Sequence, residues 1–85
     1  MSPAHAVHPA EGFVPDAPTA IAIAIAVWNA IYGADRIERE RPIQARLVGD
    51  TWHVSGSLPT RSLGGVAIAE ISKADGRILR VSHGR

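Results

Sequence analysis

The sequence of 85 residues carries nine basic and eight acidic side chains and contains no cysteine. A chain of this length forms a single domain with a modest core. The lack of cysteine excludes disulfides and cysteine-ligated zinc or iron–sulfur sites. The formal net charge is only +1, whereas proteins that bind nucleic acid without sequence preference typically carry a clear excess of basic residues. We therefore expect neither a disulfide-stabilised fold nor a nucleic-acid partner.

No segment is typical of a signal peptide or of a membrane-spanning helix. Residues 1–15 contain no Lys or Arg and no long apolar run, whereas a signal peptide needs both a basic start and an apolar core. The apolar stretch at 20–32 is shorter than the roughly 20 residues that a bilayer requires. We expect a cytoplasmic protein without membrane contact, or a periplasmic one if a signal peptide has been removed.

The first part of the chain predicts an arm followed by a helix. Residues 1–15 contain three prolines and predict a flexible arm, which leaves residues 16–85 as a single domain. Asp16 can cap a helix that begins there, Pro18 is tolerated in its first turn, and Gly33 can end it. We therefore predict a helix over residues 16–32.

The alternation of Ile and Ala between residues 20 and 27 would also fit a strand. Alanine, however, is the best helix former and a poor strand former, which favours the helix. On a helix, one stripe at steps of three and four contains Ile21, Ile25, Trp28 and Tyr32. We expect this stripe to face the core, with the alanines on its flanks.

The rest of the chain predicts four antiparallel strands after a charged connector at 34–42. Gly49 and Asp50 separate two strand patterns, 43–48 and 51–58, as in a tight hairpin. A loop follows, and two further strand patterns, 66–72 and 77–83, flank a turn that contains Gly76. The predicted fold is α+β, with one N-terminal helix packed on a four-stranded antiparallel sheet.

Strand alternation assigns each side chain to one of two faces. The apolar face is the predicted core and comprises Ile43, Ala45, Leu47, Trp52, Val54, Ala67, Ala69, Ile71, Leu79 and Val81. The other face mixes charged, polar and β-branched side chains, among them Arg46, His53, Ile68, Glu70, Ile78 and Arg80. Its apolar members predict an interaction surface, although an average protein surface is also substantially apolar, so both interpretations stand.

The sequence shows no constellation that predicts catalysis. His5 and His8 lie in the arm, and His53 and His83 fit solvated or hydrogen-bonded histidines better than ligands. No serine has a Gly-x-Ser-x-Gly setting. The acids Glu38 and Glu40 alternate with arginines and predict a solvated charged segment. We therefore expect no enzyme activity, no metal site and no cofactor.

Short motifs in a fixed order resemble one protein family over about residues 12–85. They are VPD (14–16), TAI (19–21), Trp28, IYG (31–33), RPIQA (41–45), TWHV (51–54), GSLP (56–59), GGV (64–66), ISK (71–73), DG (75–76), IL (78–79) and VSHGR (81–85). Together they resemble the nuclear transport factor 2 fold immunity proteins of bacterial polymorphic toxin systems. The sequence departs from that pattern at Ile43, where an aromatic residue is expected, and at Arg85, where a lysine is expected.

The resemblance implies a short nuclear transport factor 2-like or cystatin-like arrangement and a non-enzymatic antidote. Such a protein binds a cognate toxin, often one delivered between competing bacteria, and neutralises it by stoichiometric occlusion. The side chains that we expect to bind the toxin come from the outer face and from the loop before the third strand; they are Arg46, His53, Ile68, Arg80, Arg61 and Leu63.

Three other functions compete with the antidote. One is a regulatory or peptidase-inhibitor module that resembles the PepSY domains, which also pair a helix with strands near a turn like that at 75–79. Another is a small ligand-binding domain, since related curved sheets can hold pockets. A homodimer formed through the outer face would compete with a toxin for the same residues.

Overall fold

The computed structural model describes residue 6, residues 8–58 and residues 65–84. Two helices precede four strands in the chain. The helices are α1 (Ala17–Tyr32) and α2 (Ala34–Glu38), and the strands are β1 (Gln44–Val48), β2 (Thr51–Ser55), β3 (Ala67–Ser72) and β4 (Ile78–His83). The strands form one antiparallel sheet in the order β1-β2-β3-β4. The predicted α+β fold, with a helix on a four-stranded antiparallel sheet, is confirmed.

The ends of α1 are fixed by local chemistry. The Asp16 carboxylate accepts hydrogen bonds from the Thr19 amide at 2.9 Å and from its hydroxyl at 2.6 Å, so one free amide of the first turn is satisfied. At the other end Gly33 has φ of 96° and donates its amide to the Asn29 carbonyl at 3.0 Å. A side chain rarely adopts this φ, which explains why α1 stops at a glycine.

The stripe of α1 that faces the sheet differs from the predicted one. The fully buried residues are Ala20, Ala24 and Trp28, at steps of four, whereas Ile21, Ile25 and Tyr32 are only partly buried. The prediction is therefore confirmed for Trp28, whereas the isoleucines pack against the core at its margin and not at its centre. Small side chains let a helix lie close to a sheet, so the alanines take the centre of the contact and the isoleucines flank it.

Two glycine turns set the register of the sheet. Gly49 has φ of 60° and Gly76 has φ of 77°, and each lies in a tight connection where a side chain would be strained. The hairpin of β1 and β2 pairs Leu47 with Trp52, as the alternation of the sequence predicts. Between β3 and β4 the register shifts at Glu70 and Ile71, which marks a bulge.

The predicted core face is confirmed in the central strands and in part at the edges, where Ala45 and Val81 pack against the core. Val54, Ala69 and Ile71 are fully buried. Leu47 in β1 and Leu79 in β4 were expected in the core, yet they are 41% and 45% exposed. Leu47 lies beside the hairpin turn of an edge strand, and Leu79 lies at the register shift, where Ile78 rather than Leu79 pairs with Ile71. Alternation therefore does not predict the environment of Leu79.

The chain just before α1 packs on the end of the sheet. The amides of Phe13 and Val14 donate to the carbonyls of Ala74 and Lys73, both at 3.0 Å. Val14 is 1% exposed, and its carbonyl accepts a hydrogen bond from the Trp52 indole at 2.8 Å. These contacts anchor residues 13 and 14 to the turn between β3 and β4. The division of the chain at residue 15 stays a prediction.

In the described part of the chain, neither helix has the length and apolar character needed to cross a membrane.

The alanine stripe gives a prediction about stability. Ala24→Leu adds bulk where Ala24 has no exposed surface, so we expect it to lower the free energy of unfolding by about 1–3 kcal/mol. Ala22→Leu makes the same change on the exposed side of α1 and should alter it by less than about 0.5 kcal/mol. Urea unfolding of both variants is the measurement. Equal effects would contradict the assignment of the stripe.

A second prediction concerns the stability of the fold at low pH. Hydrogen bonds from the Thr19 hydroxyl and then from its amide lower the pKa of Asp16. A carboxylate of this kind stabilises the fold above its unfolded pKa, about 3.9, and the contribution is lost as pH falls through the folded value. Asp16→Asn keeps a capping oxygen but does not titrate. Between about pH 5 and pH 2, the wild type should therefore lose more stability in urea unfolding than Asp16→Asn does. Parallel losses would refute this role of Asp16.

Candidate functional site

One row of side chains crosses all four strands on the face of the sheet opposite α1, which we call the outer face. In the sheet register Arg46 pairs with His53, His53 with Glu70, and Glu70 with Arg80. Paired residues of neighbouring antiparallel strands lie on the same face with their Cβ atoms about 5 Å apart. The sequence therefore brings together four ionisable groups that are up to 34 residues apart along the chain.

Glu70 is the electrostatic centre of this row. One of its carboxylate oxygens, Oε2, lies 3.8 Å from His53 Nδ1 and 3.6 Å from Arg80 Nη1. Both distances exceed those of direct hydrogen bonds, so the attractions are weak and the groups can rearrange. The Arg80 side chain is 63% exposed and that of Glu70 is 25% exposed. The row thus presents charge to solvent without a rigid internal network.

A shallow concavity of about 370 Å³ opens beside the row. The outward-facing residues that line it are Gln44, Arg46, His53, Ser55 and Ile68. Ile68 stands between Ser55 and Ser82 in the register, so an apolar patch adjoins polar groups that can donate and accept hydrogen bonds. Such a mixture suits a protein side chain better than a large apolar ligand.

Three of the six residues predicted to bind a partner line this concavity, namely Arg46, His53 and Ile68. Arg80 lies at the β4 end of the row, where Glu70 links it to His53. Arg61 and Leu63 fall outside the described residues, so their part in the site stays a prediction. The sequence placed Glu70 on this face but indicated no role for it. Its position between His53 and Arg80 follows from the register of the sheet.

Glu40 forms a second, buried cluster at one end of the sheet. The residue is 7% exposed, so the prediction that it belongs to a solvated charged segment is wrong. Its Oε1 accepts a hydrogen bond from the buried Ala67 amide at 2.7 Å, and its Oε2 lies 2.8 Å from His83 Nε2. A buried carboxylate is tolerated because both oxygens have partners.

The Glu40 cluster holds both ends of the connection between β2 and β3. The Ser57 amide donates to the Glu40 carbonyl at 2.7 Å, and the Gly56 amide donates to the Ala67 carbonyl at 3.0 Å. A Cβ at Gly56 would overlap the Glu40 side chain, so glycine is required for this close approach. Glu40 thus bonds to Ser57 at the start of the connection and to Ala67 at its end. The connection includes the predicted partner-binding residues Arg61 and Leu63.

The chemistry that these groups can perform is limited. The buried acid Glu40 is occupied on both oxygens, whereas a general base needs a free oxygen near its substrate. Within residues 8–58 and 65–84, no group of three His, Asp or Glu side chains is placed to hold a metal ion. The outer face offers exposed arginine, imidazole and amide groups instead, which are groups that bind other molecules.

The Glu40 cluster gives a prediction about stability. Glu40→Ala leaves the buried Ala67 amide and the His83 ring without their acceptor, so the free energy of unfolding should fall by about 2–4 kcal/mol. Glu38→Ala removes an acid two residues away that is 67% exposed and pairs only with Arg41, and it should cost less than about 0.5 kcal/mol. Urea unfolding distinguishes them. A loss for Glu40→Ala no larger than that for Glu38→Ala would rule out the cluster as a structural element.

Comparisons with known proteins find one family model and one curated relative. The family model described as NTF2 fold immunity protein matches residues 19–85. An uncharacterized protein of Escherichia coli strain K12, YhhH, is 42% identical over 55 residues, which cover 64% of this chain. The chain spans 43% of the length of that curated relative. No solved structure matches the chain.

Proposed function

The chain belongs to the family of NTF2 fold immunity proteins, and from this membership we propose that it binds a cognate protein toxin through the outer face and neutralises it by occlusion. The main support for the proposal is the row of four ionisable side chains across the strands, with Arg46 at one end and Arg80 at the other. This row lies beside the concavity that Ile68 helps to line. α1 covers the centre of the other face, so the outer face is where charged and apolar groups are accessible together.

The interior favours binding over catalysis. Trp28 has no exposed surface, and its indole donates to the Ile68 carbonyl at 3.3 Å. Beneath α1 the central positions are filled by alanines and by Val54 and Ile71, all fully buried. Apart from the hydrogen-bonded Glu40 cluster, the ionisable groups of the described residues lie at the surface, which supports a non-enzymatic protein whose mechanism is stoichiometric binding.

The size of the domain is sufficient for tight inhibition. Protection of a cell calls for roughly nanomolar affinity, or about −12 kcal/mol. A standard interface buries about 800 Å² on each partner, a modest part of the 5778 Å² that this chain exposes. Affinity within such an area comes from a few anchors, and arginine beside apolar groups is a frequent anchor. Arg46 and Arg80, on either side of Ile68, fit that description.

A charge substitution on the outer face tests the proposal. The partner to be measured is the cognate toxin domain, to be sought first in the reading frames adjacent to the gene. Arg46→Glu and Arg80→Ala should each weaken its binding roughly 10- to 100-fold, and both should leave the unfolding transition intact because these side chains are exposed. Isothermal titration calorimetry gives the affinities.

Arg36→Glu is the matched control, because it reverses an exposed charge on α2 rather than on the sheet. It should bind the toxin at wild-type strength. If Arg46→Glu and Arg80→Ala also bind at wild-type strength, the outer face is not the binding surface. If the wild-type chain neither binds the toxin domain nor protects a cell that expresses it, the proposed function is wrong. Sedimentation of the wild type and of these variants, each without toxin, tests for a homodimer. A wild-type dimer that the outer-face substitutions disrupt would mean that a second copy of the chain occupies the outer face.

A further inference from the structure

Arg46 is distinguished from the other members of the row by its lack of an acidic partner. All eight acidic residues of the chain lie within the described ranges. The ion pairs among those residues join Arg41 to Glu38, His53 to Glu70, Lys73 to Glu11, Arg80 to Glu70 and His83 to Glu40. Arg46 is in none of them, and the residues outside the described ranges contain no Asp or Glu.

The register explains why Glu70 does not form an ion pair with Arg46. His53 stands between them in the row, so two strand spacings, about 10 Å, separate Arg46 from Glu70 along the sheet. The Glu70 carboxylate is already shared by His53 and Arg80. The β4 end of the row is thus close to neutral, whereas the β1 end carries an uncompensated positive charge.

The surroundings of Arg46 suit a carboxylate. Arg46 lines the concavity, in which Gln44 and Ser55 supply further donors and Ile68 supplies an apolar wall. A carboxylate that enters can form two parallel hydrogen bonds with a guanidinium. Exclusion of water by the apolar wall strengthens the attraction relative to that at an open surface.

We propose that the cognate toxin inserts an Asp or Glu side chain into this concavity and that Arg46 binds its carboxylate. This inference rests on the proposed function and specifies the chemistry of the partner at that site. The contact surface of the toxin is acidic at this point.

A double-mutant cycle between the two proteins tests the inference. The variants of this chain are Arg46→Gln, which removes the charge, and Arg46→Lys, which keeps the charge but loses the planar fork. They are measured against the wild-type toxin domain and against toxin variants in which each surface Asp or Glu is changed singly to Ala. Arg36→Gln serves as the control on α2.

We expect Arg46→Gln to weaken binding by roughly 10-fold or more and Arg46→Lys to weaken it less. One acidic residue of the toxin should couple to Arg46, so that its loss has little further effect in the Arg46→Gln background. Arg36→Gln should show no coupling to that residue.

Three outcomes would overturn the inference. If the wild type binds the toxin and Arg46→Gln binds equally well, the carboxylate contact is absent while the proposed function stands. If Arg46→Gln weakens binding but no acidic residue couples to it, the partner group is not a carboxylate. If a labelled single-stranded oligonucleotide binds the free chain and is displaced by the toxin, the concavity is a phosphate site. Failure of the wild type to bind the toxin at all would instead refute the proposed function.

Discussion

The contact between the alanine stripe of α1 and the centre of the sheet is the constraint on which the rest of the structure depends. Ala20 and Ala24 have no exposed surface, and neither do Ala67 and Ala69 on the opposing strand β3. Short side chains on both layers let the helix approach the sheet closely, and Trp28 fills the space at the end of the stripe. A core closed in this way directs polar and charged side chains to the outer face, where a partner can reach them.

Glu40 complements this apolar contact with a polar one at the end of the sheet. Through Ala67 and His83 it joins the connector after α2 to β3 and to the end of β4. Through the backbone at Ser57 it also holds the exit from β2. The two ends of the connection between β2 and β3, at Ser57 and at Ala67, are therefore held by hydrogen bonds to Glu40.

Much of the fold could be predicted because local signals were sufficient. Asp16 and Gly33 delimit α1, and Gly49 and Gly76 lie in turns that connect neighbouring strands. Once the turns are known, alternation fixes which residues share a face. The grouping of Arg46 with His53 on the outer face was accessible from the sequence for this reason.

The errors have a common physical origin in tertiary packing. Isoleucine is more hydrophobic than alanine, yet close approach of α1 to the sheet favours small side chains, so hydrophobicity alone placed the isoleucines at the centre of the contact. Alternation identified Leu47 and Leu79 as inward-facing, but it predicts neither how far α1 extends along β1 nor the register shift beside Leu79. Glu40 looks like its solvated neighbour Glu38 in the sequence, and only its contacts with Ala67 and His83 set it apart.

The central claim is that the outer face, rather than α1, receives the toxin, and the lack of native cysteine permits a direct measurement. A single cysteine is placed either at Gln44, on the rim of the concavity, or at Ala26, on the exposed side of α1. Each variant is labelled with a bulky maleimide, and its affinity for the toxin domain is determined. The label at Gln44 should abolish tight binding and the label at Ala26 should leave it unchanged; the reverse result would contradict the account.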